Sequence, residues 1–485
     1  MESELESMRE YFKSGKTRSV SWRLSQLKGL LLFIKEKEAE IFEALKKDLG
    51  KHPVEAFRDE VGTLIKSINF ALKGLKNWMS SEKVKLPKIA VLSSAKLVPQ
   101  PLGLVLIISS WNFPLGLSLE PLIGAIAAGN TMVLKPSEMA PACSSLLANV
   151  MTTYLDTKAI KVIQGGPSIG EQLLQQKWDK IFFTGSALVG RIVMSAAVKH
   201  LTPVVLELGG KCPAVVDSFS SSWDKQVAVN RIAVSKFGNC AGQACIAIDY
   251  ILVEKKFASN LVELMKASIK NMFGDNPRES NTIARIINKH HFLRLKNLLS
   301  DLAVQKSVVY GGSMDEENLF IEPTILLDPP LQSEIMTDEI FGPLLPIITL
   351  DMVEDSIEFI NSKPKALAIY AFTKNEQFKR RIEAETSSGS LVFNDAVIQY
   401  AVDTLPFGGI GESGIGRYHG KFSFDTFTHH KAVTTRSFLT DFWFRFPPWN
   451  GQKLMLFETV YNFDYLGILL VILGLKRCKR NLDVI

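Results

Sequence analysis

The sequence predicts an α/β protein: a parallel sheet covered by helices on both faces, followed beyond Gly209 by a second α/β unit. Three observations lead there. From Leu104 onward, short runs rich in Val, Ile and Leu alternate with helical stretches, the pattern of strands buried on both faces. Several of these runs end in Gly, Ser, Asn or Lys-Pro, and a doubly wound sheet places its ligands at the carboxyl ends of its strands. A chain of 485 residues, 46% hydrophobic and 22% charged, is long enough for more than one domain and a large core.

Taken in order, Leu24, Leu27, Leu30, Leu31 and Ile34 recur at three- and four-residue spacing without Pro, so residues 19–49 read as one amphipathic helix stopped by Gly50. A second helical run covers about 54–79. Between Ala90 and Gly103 the pattern turns β-like, punctuated by Pro101 and Gly103. Buried strands follow at 104–109, 131–135, 159–164, 180–184 and 203–208. No internal repeat or low-complexity segment interrupts the chain.

Composition excludes several classes. Five cysteines, an odd number spread over a long chain, argue for a reducing compartment without a disulfide framework. The net charge of +6 is mild and the basic residues are interspersed with acids, so there is no nucleic-acid footprint. The first residues, Met1 to Glu6, have neither a secretory nor a transit-peptide character. The expected location is cytoplasmic.

The chemistry centres on Phe237-Gly238-Asn239-Cys240-Ala241-Gly242-Gln243-Ala244-Cys245, a small polar loop ahead of an apolar run (Ile246, Ile248, Ile251, Val253). A thiol at such a loop-to-strand junction can meet a ligand, and it acts as a nucleophile when backbone N–H groups or a base favour the thiolate. Free Cys is also a common core residue, so the loop alone does not decide. Gln243-Ala244-Cys245 matches the start of a caspase signature with His200 upstream, but Ile246-Ala247 is the wrong continuation. Cys212, Cys240 and Cys245 lack a fourth zinc ligand at a recognised spacing. Upstream, Leu206-Glu207-Leu208-Gly209-Gly210-Lys211 puts a carboxylate at the end of an apolar strand, where its pKa rises and it can serve as a general base.

Together these two stretches, with Glu207 and Cys245 38 residues apart, resemble the signatures of the aldehyde dehydrogenase superfamily. The spacing is slightly long, and the polar run 218–222 absorbs the difference. Further matching blocks run in family order from Trp111 to Gly420, including Gly165-Gly166, Asn394 and Pro406 to Gly414. The N-terminal length, the C-terminal tail and Asp249-Tyr250 look like family 3, which acts on medium- and long-chain or aromatic aldehydes.

The resemblance implies a Rossmann-like cofactor domain (1–82 and 104–208), a catalytic domain (209–420), a small β oligomerisation element (83–103 and 421–445) and a tail (446–485), assembled as a homodimer. It makes Cys245 the nucleophile, Glu207 the base that activates water, and Asn112 an oxyanion donor beside the Cys245 N–H. Lys135 and Glu138 would hold the adenosine ribose. Gly185, Ser186 and Gly190 form the turn at the pyrophosphate, with Val189 near the adenine. Glu339 would bind the nicotinamide ribose and Phe341 line the ring, with Trp111 and Leu208 also around the cofactor. A carboxylate at Glu138 accepts from a ribose diol and repels a 2′-phosphate, so NAD is the preferred cofactor, NADP the second choice, and no metal is expected. CoA-acylating enzymes of the superfamily resolve the thioester with a thiol and typically lack the Glu, so Glu207 argues for hydrolysis.

Tyr465 to Leu475 is an apolar run bounded by Asp464 and by the basic Lys476-Arg477-Cys478-Lys479-Arg480. It is shorter than the roughly 17 residues that a bilayer span needs. Three readings stand: a helix packed on the protein, an interfacial segment on the cytosolic face of an internal membrane with Cys478 open to palmitoylation, or an unusual span.

Overall fold

The computed structural model describes residues 1–87, 90, 93–439 and 441–476. Two compact units divide the chain: Met1–Trp78 with Pro101–Thr428, and Met79–Gln100 with His429–Ile485.

The larger unit holds two sheets. The first has the order Gly414–Ile415, Val204–Glu207, Lys180–Thr184, Leu104–Ile108, Thr131–Lys135, Ile160–Val162. Its neighbours pair in parallel except for Gly414–Ile415, which runs antiparallel along Val204–Glu207. The second has the order Val308–Tyr310, Thr324–Leu327, Leu344–Leu350, Tyr250–Glu254, Pro213–Val216, Ala368–Phe372, Ser390–Phe393, antiparallel only at its first pair. The central strands of both sheets are buried along their length, as their uninterrupted apolar runs require.

The helix expected over 19–49 is two helices, Val20–Glu36 and Glu38–Leu49, parted at Lys37. The break lets each half face a different neighbour. Val20–Glu36 packs on Gly62–Trp78 and Gly116–Ala128, whereas Glu38–Leu49 packs on Pro141–Asn149. Gly50 does end the run, in the left-handed conformation. The second helical run is also segmented, with a turn at Pro53–Ala56, a π-helical turn at Phe57–Val61 and then Gly62–Trp78. The N-terminal helix Glu2–Lys13 was not anticipated; Leu5 and Met8 bury against the first sheet's core.

In the smaller unit, Glu82–Val84, Ser93–Pro101 and Thr428–Arg436 form a three-stranded sheet. The tail contributes helices Gly451–Tyr461 and Tyr465–Ile472, which bury Met455, Leu456 and Val471 between them. Asp464 caps the second, accepting from the Gly467 amide at 2.7 Å. Leu466, Leu469, Ile472, Leu473 and Leu475 remain exposed. Among the described residues no helix is long and apolar enough to cross a membrane. Cys478 and its neighbours Arg477, Lys479 and Arg480 lie outside the described residues.

Candidate active site

The helix Ser222–Phe237 delivers the chain into the cysteine loop. Cys240 and Ala241 take left-handed conformations (φ 49° and 50°), and Gly242 follows at φ 76°. Strain of this kind at non-glycine residues persists where the surroundings enforce it. At Gly242 a side chain is impossible, because a Cβ would lie 2.5 Å from the Gly342 carbonyl oxygen and 2.8 Å from that of Lys236. Gln243 locks the turn: its Nε2 donates to the carbonyls of Cys240 (2.9 Å) and Arg285 (3.1 Å), and its Oε1 accepts from the Ile287 amide (3.1 Å). Cys245 follows in a turn, short of the expected loop-to-strand junction, since the strand begins only at Tyr250. The Cys212 thiol donates to the Cys245 carbonyl (3.3 Å), and the Tyr370 hydroxyl to that of Ile246 (2.6 Å).

Cys245 is the partly exposed cysteine of the loop; Cys212 and Cys240 are buried. It opens onto a cavity of about 250 Å³ lined by Phe113, Leu117, Val234, Ile246 and Ile398, with Arg58, Asp59 and Asp395 among its polar residues. Burial pushes the thiol well above its ordinary pKa, and the nearby carboxyls of Glu207 and Glu339 add to the rise. The resting group is therefore a thiol that needs a base.

Glu207 ends the strand Val204–Glu207, paired with Gly414, and its main-chain oxygen accepts from Gly185 N at 3.0 Å. Its side chain is 2% exposed, and neither carboxylate oxygen has a hydrogen-bond partner. Burial raises its pKa well above the ordinary carboxylate range, matching the sequence expectation. Asn112, at the turn after strand Leu104–Ile108, donates from Nδ2 to the Gln243 carbonyl at 3.0 Å, while its buried Oδ1 has no partner.

A second cavity, of about 380 Å³, lies at the carboxyl ends of the first sheet's strands. Trp111, Lys135, Glu138, Gly185, Ser186 and Val189 all line it. Lys135 Nζ pairs with Glu138 Oε2 at 3.0 Å. Ser186 caps the helix Ala187–Val198, its hydroxyl accepting from Val189 N at 3.4 Å, so the positive end of that helix faces the cavity. Gly190 and Leu208 are not part of the lining; they pack on each other behind it.

Glu339 and Phe341 arrive from the second sheet's side. A Cβ on Gly209 would collide with the Glu339 carboxylate, which shows how closely the Gly209-Gly210 turn wraps it. Burial raises Glu339 to about 8, against a hydrogen bond from the Gly210 backbone. Phe341 is left-handed (φ 51°), and its ring meets that of Trp111 edge-on at 5.4 Å. The chain around it is pinned by Asp249, which accepts from Ile340 N at 3.0 Å and also pairs with Lys211.

These residues fit a dinucleotide. The buried Thr184 hydroxyl beside the Gly185-Ser186 turn has no partner, and the helix N-terminus offers donors to an anion. Sequence reasoning missed His291, which lines the cavity with its ring tilted against that of Trp111, centroids 5.0 Å apart. Burial lowers His291 to about 4, leaving it neutral. It also missed the buried charges Lys51, Glu55 and Glu60, far upstream of the motifs. His200, the partner a cysteine hydrolase would need, lies beyond the far end of helix Ala187–Val198, its Nε2 3.4 Å from the Gln175 carbonyl.

Residues 1–433 match the family model described as "Aldehyde dehydrogenase family". The chain is 55% identical over 477 residues to aldehyde dehydrogenase family 3 member F1 of Arabidopsis thaliana, covering 98% of this chain and 99% of that one. It superposes with a TM-score of 0.90 and 40% identity on a substrate-bound Staphylococcus aureus AldH structure, covering 96% and 99% of the two chains. A glyceraldehyde-3-phosphate dehydrogenase of Methanocaldococcus jannaschii complexed with NADP matches with a TM-score of 0.79 and 25% identity over 90% of this chain and 94% of that one.

Proposed function

The chain belongs to the aldehyde dehydrogenase family, as an NAD(P)-dependent oxidoreductase with family 3 relatives, and we propose that it oxidises medium- or long-chain aliphatic or aromatic aldehydes to carboxylic acids. The observation that carries this reading is the meeting of three groups: the Cys245 thiol on the wall of a largely apolar cavity, the unpartnered Glu207 carboxylate close enough to shift the thiol's pKa, and Asn112 tied to the cysteine loop.

Glu207 removes the thiol proton, and Cys245 Sγ bonds to the aldehyde carbon. The oxygen of the resulting thiohemiacetal takes the negative charge beside Asn112 Nδ2 and the Cys245 N–H. Lys135, Glu138, Gly185, Ser186 and Val189, with Glu339 and Phe341 on the nicotinamide side, would hold NAD, which when bound would supply the hydride acceptor. Loss of hydride leaves a Cys245 thioester. Glu207 first releases the thiol proton to solvent and then takes a proton from water, whose oxygen attacks the thioester carbon; the C–S bond breaks, the departing Cys245 sulfur recovers its proton from Glu207, and the carboxylic acid leaves. A CoA-acylating enzyme would not need that base, so Glu207 favours hydrolysis.

The apolar lining at Phe113, Leu117, Val234 and Ile398 supports a hydrophobic aldehyde and a role in clearing reactive aldehydes. The Glu138 carboxylate at the cleft supports NAD over NADP. Four free cysteines among the described residues suit a cytoplasmic location. The chain works as a homodimer through the element at 83–103 and 421–445, and the exposed apolar face of Tyr465–Ile472 supports peripheral contact with a membrane. The deciding experiment follows absorbance of the reduced nicotinamide with hexanal or nonanal, for wild type and Cys245→Ala. Reduction by wild type alone supports the reading; no reduction with any aldehyde and either cofactor ends it.

A further inference from the structure

Lys51 and Glu60 are both wholly buried, their side chains 0% exposed, and Lys51 Nζ lies 2.7 Å from Glu60 Oε1. A buried ion pair is a poor way to stabilise a fold, since apolar residues of equal volume often do as well or better. Its bonds lead elsewhere. The same Lys51 Nζ donates to the main-chain carbonyl of Asn112 at 2.9 Å and lies 4.0 Å from the centre of the Phe113 ring. The other Glu60 oxygen accepts from the amides of Leu115 (2.9 Å) and Gly116 (3.1 Å), where helix Gly116–Ala128 begins. The turn carrying Asn112 is thus held at both of its ends by one ion pair.

The cysteine loop is anchored to the same ten-residue segment. Glu55 Oε1 accepts from Cys240 N at 2.7 Å, and Arg58 Nη2 donates to the Gly238 carbonyl at 2.9 Å. The Cys240 thiol donates to the Asn112 carbonyl at 3.4 Å. With Gln243 joining Cys240 to the Asn112 side chain, the bonds close a circuit: Lys51 to Asn112, Asn112 to Gln243, Gln243 to Cys240, Cys240 to Glu55. Both halves of the proposed oxyanion site start and finish on residues 51–60.

We infer that the Lys51–Glu60 ion pair, with Glu55, is a positioning device that sets the distance between Asn112 and the Cys245 loop, and so governs kcat for aldehyde oxidation without touching substrate or cofactor. The inference rests on the reading of Asn112 as the oxyanion donor. A fully buried pair with fixed hydrogen-bond partners suits this task, because a displacement of about 1 Å in such a site can cost about 10²-fold in rate. Apolar packing would hold the same volume without fixing a direction.

The test uses the full-length enzyme with NAD and hexanal. In Lys51→Met/Glu60→Gln both charges go, while the amide oxygen introduced by Glu60→Gln can still accept from the Leu115 and Gly116 amides. The expected result is a kcat lower by about 10- to 100-fold, with KM for aldehyde and NAD within about threefold and a melting temperature near that of wild type. Lys51→Arg, which keeps a cationic donor, recovers part of the loss. Asn112→Ala is measured beside them. If it loses kcat while the folded double variant keeps kcat within about twofold of wild type, the positioning role is overturned. If Asn112→Ala itself keeps kcat, the oxyanion reading has failed and takes the inference with it. Should the double variant not fold, Glu60→Gln alone decides, with a kcat-only loss supporting the role and a KM-only or absent effect refuting it.

Discussion

Asn112 Nδ2 donates to the main-chain carbonyl of Gln243, two residues before Cys245, across a contact of 3.0 Å. An amide carries two donor hydrogens, so this bond orients the group and leaves one hydrogen uncommitted. Replacing Asn112 by Ala is expected to lower kcat by about 10²- to 10³-fold, the usual loss when one oxyanion donor is removed. Steady-state rates with saturating NAD measure it, and KM should change much less than kcat.

Cys245→Ala is expected to lose at least about 10³-fold in cofactor reduction, as removal of a covalent nucleophile does. Trp111 lines the cavity proposed to take the cofactor, so quenching of tryptophan fluorescence by added NAD should persist in the variant. Loss of binding together with activity would mean that the substitution had damaged the site and not just the chemistry.

In the proposed mechanism Glu207 acts as the carboxylate, and burial raises its pKa well above the usual range. As pH falls through that raised value the base is lost, so the acid limb of the kcat profile lies above the ordinary range for carboxylates. Glu207→Gln should lower kcat by about 10²- to 10⁴-fold and abolish the limb. A Gln variant retaining the wild-type limb would assign it to another group.

Glu138 sits on the cavity wall paired with Lys135. Two like charges about 4 Å apart in water repel by about 1 kcal/mol, or roughly fivefold. Glu138→Gln is therefore expected to raise kcat/KM for NADP relative to NAD by at least about fivefold, with Lys135 left free to meet the extra phosphate. An unchanged ratio would remove Glu138 from cofactor selection.

Glu120 is buried, which raises its pKa to about 7 from the ordinary 4.5, against a hydrogen bond from Ser67. The folded chain then binds the Glu120 proton more tightly than the unfolded chain. Its contribution is fully present below about pH 4.5 and is lost as pH rises through about 7, an effect of up to about 3 kcal/mol. Urea unfolding at pH 5 and pH 8 should show Glu120→Gln stabilising the protein relative to wild type at the higher pH only.

How much of this was legible in the sequence depended on range. The buried strands 131–135 and 180–184 were readable to the residue, because burial on both faces leaves unbroken apolar runs bounded by turn residues. Glu207 and Cys245 were singled out by local sequence and Asn112 by the family resemblance; Asn112 is tied to the cysteine loop at Gln243, and Glu207 lies near enough to Cys245 to act on its thiol electrostatically. The break at Lys37 was invisible, since the apolar spacing continues through it and only the two different packing partners divide the helix. Lys51, Glu55 and Glu60 were missed for a related reason. Lys51 looks like an ordinary loop charge beyond the helix stop at Gly50, and Glu55 and Glu60 like ordinary charges on a helical run, until the chain returns at Asn112, Leu115 and Cys240 to enclose them. His291 had no motif, and its place beside Trp111 is a product of folding alone.

The sheet edge carrying Glu207 is closed by Gly414–Ile415, a strand that arrives long after the three reactive groups have been synthesised. A nascent chain on the ribosome can thus display the cysteine, the acid and the amide while its base still lacks the neighbour that fixes it. A premature stop or a proteolytic cut that sheds the segment around residue 414 is therefore expected to lower activity while leaving Cys245 chemically untouched.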